Sequence, residues 1–322
     1  MDSSLGFRLE ATVNSSPWRG RRVLVTGARG FIASRLCQRL IAEGAHVCGL
    51  STKAIEPQAG MSWRQVDLTD RSDVDTLIRD VQPEIVFHLA GHVTGSQNVE
   101  QVVPTLDQNL VSTINILATA VETVRCRVVL AGSMQEPAPD DPNGVLCSPY
   151  AASKWACNGY ARMFHGLYQL PVSIARPFMV YGPGQWDPAK LLPYVIMSFL
   201  KGEAPRVSSG DRALDWVYVD DVVDGFLVVA LSQFADGRTI DLGTGSLVSI
   251  REIIARVRGI VGESVDASFG SIPDRPFERP HFARVEETRQ LIGWSASTSL
   301  DDGLREAIEW YRGRLAAQGD GR

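Results

Sequence analysis

The sequence lacks cysteine pairs, long apolar runs and an excess of basic residues. Its five cysteines include no Cys-x-x-Cys pair, which argues against a disulfide framework or a zinc site, so we predict a cytoplasmic protein without a metal. No stretch approaches the roughly 18 consecutive apolar residues that span a bilayer, and the start of the chain lacks the apolar segment of a signal peptide. A net charge of −5 gives no general attraction to nucleic acid or to an anionic membrane. The expected partner is therefore a small molecule.

Short runs rich in Val, Ile and Leu alternate with helical patterns through the first half of the 322-residue chain. Strands that are buried on both faces appear as continuous apolar runs, and the helices between them imply right-handed crossovers. We therefore predict an α/β fold with a doubly wound parallel sheet of the Rossmann type. The runs that predict strands are RRVLVTG, AHVCGL, SWRQVDLTD, PEIVFHLAG, CRVVLAGS and PVSIARP.

The rhythm changes after Arg176, where a stretch rich in proline and glycine begins. The predicted division has an extension at 1–20, a dinucleotide-binding domain at 21–177 with 215–245, and a smaller C-terminal substrate-binding lobe at 178–214 and 246–322. Helical periodicity predicts helices at Phe31–Glu43, Ser72–Val81, Val99–Val124, Pro149–Tyr168, Tyr194–Lys201 and Leu300–Tyr311.

The segment VLVTGARGFIASRL, which starts at Val23, carries the first candidate ligand site. Its Gly27-x-x-Gly30-x-x-Ala33 pattern places small residues where a strand turns into a helix, where a pyrophosphate approaches the backbone and where the helix packs on the sheet. The first N–H groups of that helix have no partner within it and point at such an anion. We predict a dinucleotide phosphate site; the alternative is a tight turn without a ligand.

The residues after the second predicted strand bear on which dinucleotide binds. An acidic residue there would accept the ribose 2′-hydroxyl of NAD, but positions 44–55 contain no Asp or Glu. Ser51 and Lys53 stand there instead, and Arg29 extends from the glycine loop, so a 2′-phosphate would be accepted. We predict NADP(H); the alternative is that these charges are solvated and NAD binds. Asp67, after the third strand, would accept from the adenine amine or cap a helix.

A candidate catalytic group lies in the segment SPYAASKWA and in the strand before it. Tyr150 and Lys154 are four residues apart and share one helix face. A tyrosine is a poor general base at neutral pH, and a neighbouring ammonium stabilises the phenolate. Ser133, at the end of the strand VVLAGS, would polarise the substrate oxygen. We predict that Ser133, Tyr150 and Lys154 are catalytic and that Lys154 also holds the nicotinamide ribose; the alternative is that Tyr150 and Lys154 are two ordinary helix-surface residues.

These segments together resemble the extended short-chain dehydrogenase/reductase superfamily, in its NAD(P)-dependent sugar-nucleotide epimerase/dehydratase branch. The motifs that carry the resemblance are Thr26-Gly27-x-x-Gly30-Phe31-Ile32, Asp67-Leu68, FHLAG at 87–91, Ser133 with Tyr150-x-x-x-Lys154, RPFMVYGPG at 176–184, DWVYVDDVVDG at 215–225, PDRPFE at 273–278 and LIGW near the end. The resemblance implies homodimers built on a bundle of the helices near 100–123 and 150–167. It also implies cofactor contacts from the residues of these motifs, which add Phe31, Ile32, Leu68, Leu89, Ala90 and Pro177 to those above.

In the family that the sequence resembles, arginines of the C-terminal lobe bind the diphosphate of a nucleotide sugar. Arg275 in PDRP stands at one such position. The usual second arginine is replaced by Leu214, and Arg212, two residues earlier, would take its place. Met179 stands where asparagine is common, which would alter hydrogen bonding to the substrate. We predict that Met179, Arg212 and Arg275 bind a nucleotide-sugar substrate; the alternative for each arginine is that it is a surface residue and not a phosphate ligand.

Three reactions share a site of this kind: reduction of a keto sugar, epimerisation through a transient ketone, and dehydration. Dehydratases generally carry Asp-Glu directly after the catalytic hydroxyl residue, but Met134 and Gln135 follow Ser133, and Glu136 comes one place late. Epimerisation suits a retained NAD, whereas net reduction suits a dissociable NADPH. The missing acidic residue at 44–55 leads us to predict an NADP-dependent 4-ketoreductase acting on a nucleotide-linked 4-keto-6-deoxy sugar. The alternatives are an NAD-dependent nucleotide-sugar 4-epimerase and a non-catalytic NAD(P)-binding module.

Overall fold

A seven-stranded parallel sheet forms the centre of the computed structural model, which describes residues 16–52, 60–137, 144–278 and 280–319. Its strands are β1 Arg22–Thr26, β2 His46–Ser51, β3 Met61–Gln65, β4 Ile85–His88, β5 Arg127–Ala131, β6 Val172–Pro177 and β9 Thr239–Leu242. Their order in the sheet is β3-β2-β1-β4-β5-β6-β9, and every pairing in this sheet is parallel. The predicted doubly wound α/β fold is confirmed.

Helices cover both faces of this sheet and the second lobe. The helices are α1 Phe31–Ala42, α2 Arg71–Val81, α3 Val102–Thr105, α4 Ser112–Glu122, α5 Pro149–Tyr168, α6 Leu191–Leu200, α7 Val219–Leu231, α8 Ile250–Val261, α9 Val285–Ile292 and α10 Leu300–Gly319. The bounds of α5 are those that the sequence predicts. The predicted end of the last helix at Tyr311 is wrong, because the helix continues to Gly319.

The single helix predicted over 99–124 is divided into four segments. A 3₁₀ turn at Val99–Gln101 leads into α3, and a π-helical segment at Leu106–Val111 separates α3 from α4. Pro104 lies within α3. Proline has no N–H to donate to the preceding turn, and its ring displaces that turn, so the α-helical ladder is interrupted here.

The side chains of β1 show how the sheet is held between two apolar layers. Val23 and Val25 pack on the face that α1 and α7 cover, through residues such as Phe226. Leu24 packs on the opposite face, against residues such as Ile78 of α2. All three strand residues are fully buried. Alternation of this kind is what a sheet with helices on both faces requires.

A second, three-stranded sheet supports the cavity described below. Its order is β10-β8-β7, with β7 at Met179–Tyr181, β8 at Ala213–Tyr218 and β10 at Leu247–Ser249. Residues from these strands pack with α6, α8 and α10 in a separate apolar cluster that includes Trp216 and Ile308. The division of the chain into a dinucleotide-binding domain and a substrate-binding lobe stays a prediction.

The described part of the predicted N-terminal extension packs on the central sheet. Trp18 is buried, and its ring centroid lies 6.0 Å from that of Phe87 in β4. Residues 1–15 of the predicted extension lie outside the described residues. Among the described helices, none combines the length and the apolar character needed to cross a bilayer.

Candidate active site

The glycine loop between β1 and α1 approaches another loop very closely. Gly27 has φ +64°, and a Cβ placed there would come within 2.9 Å of the backbone of Ala90. The N–H of Gly30 donates to the carbonyl of Gly27 over 2.7 Å. Gly30 is also the N-cap of α1, and because it has no side chain it cannot cap the first N–H groups of the helix. The first turn of α1 therefore presents backbone donors to an anion, as a dinucleotide phosphate site requires.

A buried hydrogen-bonded chain fixes the loop after β4 against this glycine loop. Thr26 Oγ1 accepts from the N–H of Ala90 over 2.9 Å and lies 2.9 Å from His88 Nδ1. His88 Nε2 lies 3.1 Å from Thr113 Oγ1, whose hydroxyl donates to the carbonyl of Asn109. Because that hydroxyl proton is already used, Nε2 carries the imidazole proton and Nδ1 accepts from Thr26. Burial, with Lys154 nearby, lowers the pKa of His88 from 6.5 to about 3.

Tyr150 and Lys154 lie together on α5, as the four-residue spacing predicts. Ser148 caps the helix by accepting from the N–H of Ala151 over 3.1 Å. Lys154 Nζ lies 5.9 Å from the centroid of the Tyr150 ring and donates to the carbonyl of Ala131 over 2.9 Å. This bond fixes the ammonium group, which is largely buried, at the carboxyl end of β5.

Ser133 begins a short turn, residues 133–136, which we call the serine loop. Ser133 Oγ accepts from the N–H of Gln135 over 3.2 Å, so its own hydroxyl proton remains available to a ligand. Glu136 is buried, and its Oε1 accepts from the N–H of Ser133 over 2.7 Å. Its Oε2 accepts from Asn158 Nδ2 over 2.9 Å. Burial raises the pKa of Glu136, and Arg176 opposes that effect.

Sequence reasoning missed Asn109, which organises the floor of the site from the π-helical segment. Its Oδ1 accepts from the N–H of His92 over 2.6 Å, and its Nδ2 donates to Ser153 Oγ over 2.8 Å. A Cβ on Gly91 would come within 2.7 Å of that same Oδ1. The available signal was an asparagine, a poor helix former, within a long apolar helix just after a proline.

A cavity of about 1740 Å³ opens beside Tyr150. Three residues predicted to bind substrate, Met179, Arg212 and Arg275, also line it. The two arginines share one carboxylate: Arg212 is in ion-pair contact with Glu278, and Arg275 Nη1 lies 3.6 Å from Glu278 Oε1. Burial lowers the pKa of Arg212, and Arg275 adds to that effect. The structure thus brings the predicted substrate residues and the predicted base to one cavity.

Apart from Lys53, the remaining residues predicted to contact the cofactor lie at the carboxyl edge of the sheet. Ser51 ends β2, Arg29 is exposed on the glycine loop, and Lys53 lies outside the described residues. Asp67 is exposed and accepts from the N–H of Thr69 over 2.9 Å. The others occupy the first turn of α1, the loops after β3 and β4, and the end of β6; they are Phe31, Ile32, Leu68, Leu89, Ala90 and Pro177.

The helix-cap alternative for Asp67 is wrong. Asp70 is the N-cap of α2 and accepts from the N–H groups of Ser72 and Asp73. The carbonyl of Asp67 accepts from the N–H of Asp70 within the same turn. Its carboxylate therefore stands before the helix rather than on its first turn, and its contact with adenine stays a prediction.

Comparison with known proteins gives the family and the fold. Residues 23–243 match the model of the NAD dependent epimerase/dehydratase family. A UDP-glucose 4-epimerase from Mycolicibacterium smegmatis is 32% identical, and the match covers 91% of this chain and 99% of that protein.

Solved structures share the fold over nearly the whole chain. A Thermotoga maritima UDP-glucose 4-epimerase with UDP-glucose superposes with a TM-score of 0.83 at 23% identity, covering 91% of this chain and 99% of the other. The enzyme WbmF from Bordetella bronchiseptica, in complex with NAD+ and UDP, superposes with a TM-score of 0.77 at 26% identity, covering 95% of this chain and 96% of the other.

Proposed function

The chain belongs to the NAD-dependent epimerase/dehydratase family of extended short-chain dehydrogenase/reductase enzymes, and on that premise we propose that it is a nucleotide-sugar 4-epimerase that uses NAD. The observation that carries the proposal is the position of Tyr150, which lines the large cavity from the helix that also holds Lys154. The relative from M. smegmatis is an epimerase and the WbmF structure holds NAD+. These likenesses support the epimerase alternative better than the NADP-dependent ketoreductase that the sequence favours.

The serine loop supports epimerisation over dehydration. Elimination of water from a sugar needs an acid and a base beside the reacting carbons. Met134 and Gln135 follow Ser133 and supply neither group. Both oxygens of Glu136 are engaged, one by the N–H of Ser133 and the other by Asn158. Met134, Gln135 and Glu136 therefore do not supply the acid and the base that dehydration needs.

The glycine loop fits a dinucleotide. The close approach of Gly27 to Ala90 leaves no room for a side chain, and the first turn of α1 lacks a side-chain cap in the described structure. We assign the pyrophosphate to this turn, the adenosine ribose to the end of β2 at Ser51 and the nicotinamide ribose to Lys154. When bound, NAD supplies reversible acceptance of a hydride.

The proton chemistry follows from the side chains on α5 and in the serine loop. Tyr150 Oη, as the phenolate, takes the proton of the sugar 4-hydroxyl as C4 becomes a ketone. It returns that proton to the same oxygen after the ring has presented its other face. Lys154 holds positive charge beside the phenolate because its Nζ is anchored to the carbonyl of Ala131. Ser133 donates a hydrogen bond to the sugar oxygen because its Oγ already accepts from the N–H of Gln135.

The cavity arginines supply the means to hold a nucleoside diphosphate. We propose that Arg212 and Arg275 bind the diphosphate in place of Glu278, whose carboxylate lies in contact with Arg212. Arg–phosphate pairs are commonly bidentate and strong. Met179 lines the same cavity and offers only an apolar contact to the sugar.

Exposed apolar residues next to α3 and on α3 and α5 support a homodimer. Val99, Val103 and Trp155 expose 79%, 65% and 50% of their surfaces, and α3 packs directly on α5. Large apolar residues exposed on two helices that pack together are typical of a protein interface. All five cysteines are free, which supports a reducing compartment such as the cytoplasm.

The test is to incubate the purified protein with UDP-glucose and with UDP-glucuronate and to follow C4 inversion by NMR without adding reductant. We expect inversion, and we expect NAD to be released when the protein is denatured. Tyr150→Phe should lower turnover at least 1000-fold, whereas Tyr168→Phe, a control at the end of α5 that keeps the contact with Phe164, should not. Stoichiometric consumption of NADPH with a 4-keto sugar, and no inversion, would show a ketoreductase instead.

A further inference from the structure

Glu136 is a buried carboxylate that the proton chemistry above does not use. The side chain is 3% exposed, and it joins two parts of the site. Its Oε1 accepts from the backbone N–H of Ser133, in the loop after β5. Its Oε2 accepts from Asn158 on α5, which lies one turn beyond Lys154 and two turns beyond Tyr150. One side chain therefore connects the element that carries Ser133 to the helix that carries the proton relay.

Further hydrogen bonds hold both partners of Glu136, Ser133 and Asn158, in place. The N–H of Glu136 donates to the carbonyl of Ser133 over 3.1 Å and closes the turn. Asn158 Nδ2 also donates to Thr239 Oγ1 over 2.8 Å, so the amide is anchored to β9 as well. A buried carboxylate is costly unless its oxygens are satisfied, and here both are. Nearby Arg176, which pairs with Asp241 over 2.6 Å, supplies positive charge.

Building on the proposed 4-epimerase function, we propose that Glu136 is a positioning residue that sets the place of Ser133 relative to Tyr150. Ser133 and Tyr150 act on one sugar oxygen, so the serine loop and α5 must be held at a fixed separation. Misplacement by a fraction of an ångström weakens two hydrogen bonds to that oxygen at once. Dinucleotide binding at the glycine loop does not depend on this connection.

Donor and acceptor can be exchanged between Glu136 and Asn158, and this gives the test. In Glu136→Gln the amide still accepts from the N–H of Ser133, but its NH2 either faces the NH2 of Asn158 or turns the Asn158 amide over, and this NH2 then loses both of its acceptors. In Asn158→Asp two carboxylates face each other. In the double variant, which carries both substitutions, the new amide at position 136 donates to the new carboxylate at position 158. The hydroxyl of Thr239 donates to that carboxylate too.

We expect each single variant to lower kcat at least tenfold while KM and the Kd for NAD stay within twofold of the wild type. We expect the double variant to recover kcat to within threefold of the wild type. Glu84→Gln is the matched control, because Glu84 also accepts from a backbone N–H, that of Arg22, but at the start of β1 and away from the site. Its kcat should stay within twofold of the wild type.

Two results would overturn the assignment: a folded Glu136→Gln protein with wild-type kcat, or a double variant no better than the worse single variant. Crystal structures of the variants give a readout that needs no turnover. The serine loop should be displaced relative to α5 in the single variants and should return in the double variant; an undisplaced loop in both single variants also refutes the role. If the wild type proves to be a reductase, the proposed function fails. The kcat values of the same variants, measured for reduction of the keto sugar, then still decide the role of Glu136.

Discussion

Replacement of His88 by asparagine tests the buried hydrogen-bonded chain under the glycine loop. His88 is 2% exposed, and burial lowers its pKa from 6.5 to about 3. Below pH 6.5 the unfolded chain binds a proton at this histidine that the folded protein excludes until about pH 3. The free energy of unfolding therefore falls as the pH drops through this window, and His88 contributes nothing above it. At about 1.4 kcal/mol per pH unit, the loss between pH 6.5 and pH 5 amounts to about 2 kcal/mol.

The assay is urea unfolding, followed by tryptophan fluorescence, of the wild type and of His88→Asn at a series of pH values from 7.5 to 5. We expect the wild type to lose about 2 kcal/mol more than the variant between pH 6.5 and pH 5. His46→Asn, at an exposed histidine, tests whether removal of any imidazole has this effect. Parallel pH dependences for the wild type and His88→Asn would refute the buried neutral histidine and with it the assigned tautomer.

Three further predictions address the cofactor loop, the cavity and the dimer. Gly27→Ala should lower the free energy of unfolding by about 1–2 kcal/mol and weaken NAD binding, measured by calorimetry, at least tenfold. Gly159→Ala, a control on α5 with open space around it, should do neither. Equal affinities of the wild type and Gly27→Ala for NAD would contradict the close approach. Glu278→Gln should tighten binding of UDP several-fold, because it removes a competing carboxylate next to Arg212. Unchanged or weaker binding of UDP in calorimetry would argue against a diphosphate at Arg212 and Arg275. Trp155→Glu should convert a dimer to a monomer in light scattering; a wild type that is itself monomeric would contradict the homodimer.

Some parts of the site follow from short stretches of sequence. The Gly27 turn, the helix bounds of α5 and the shared face of Tyr150 and Lys154 depend on residues within one or two helical turns of each other. The choice between NAD and NADP did not follow in this way. The missing carboxylate at 44–55 favours NADP, whereas the proposed epimerase uses NAD. Recognition of the ribose depends on the shape and charge of a whole pocket, which a few neighbouring residues do not set.

Strands, crossovers and the glycine loop were determined by the sequence itself, because hydrophobic periodicity and turn chemistry act between neighbouring residues. Only the tertiary structure decided that Asn109 supports the loop at His92, that Glu136 joins Ser133 to Asn158, and that Glu278 lies between two arginines. These contacts bring together different elements of the chain. Their geometry is set by how helices pack on the sheet, and no local pattern records it.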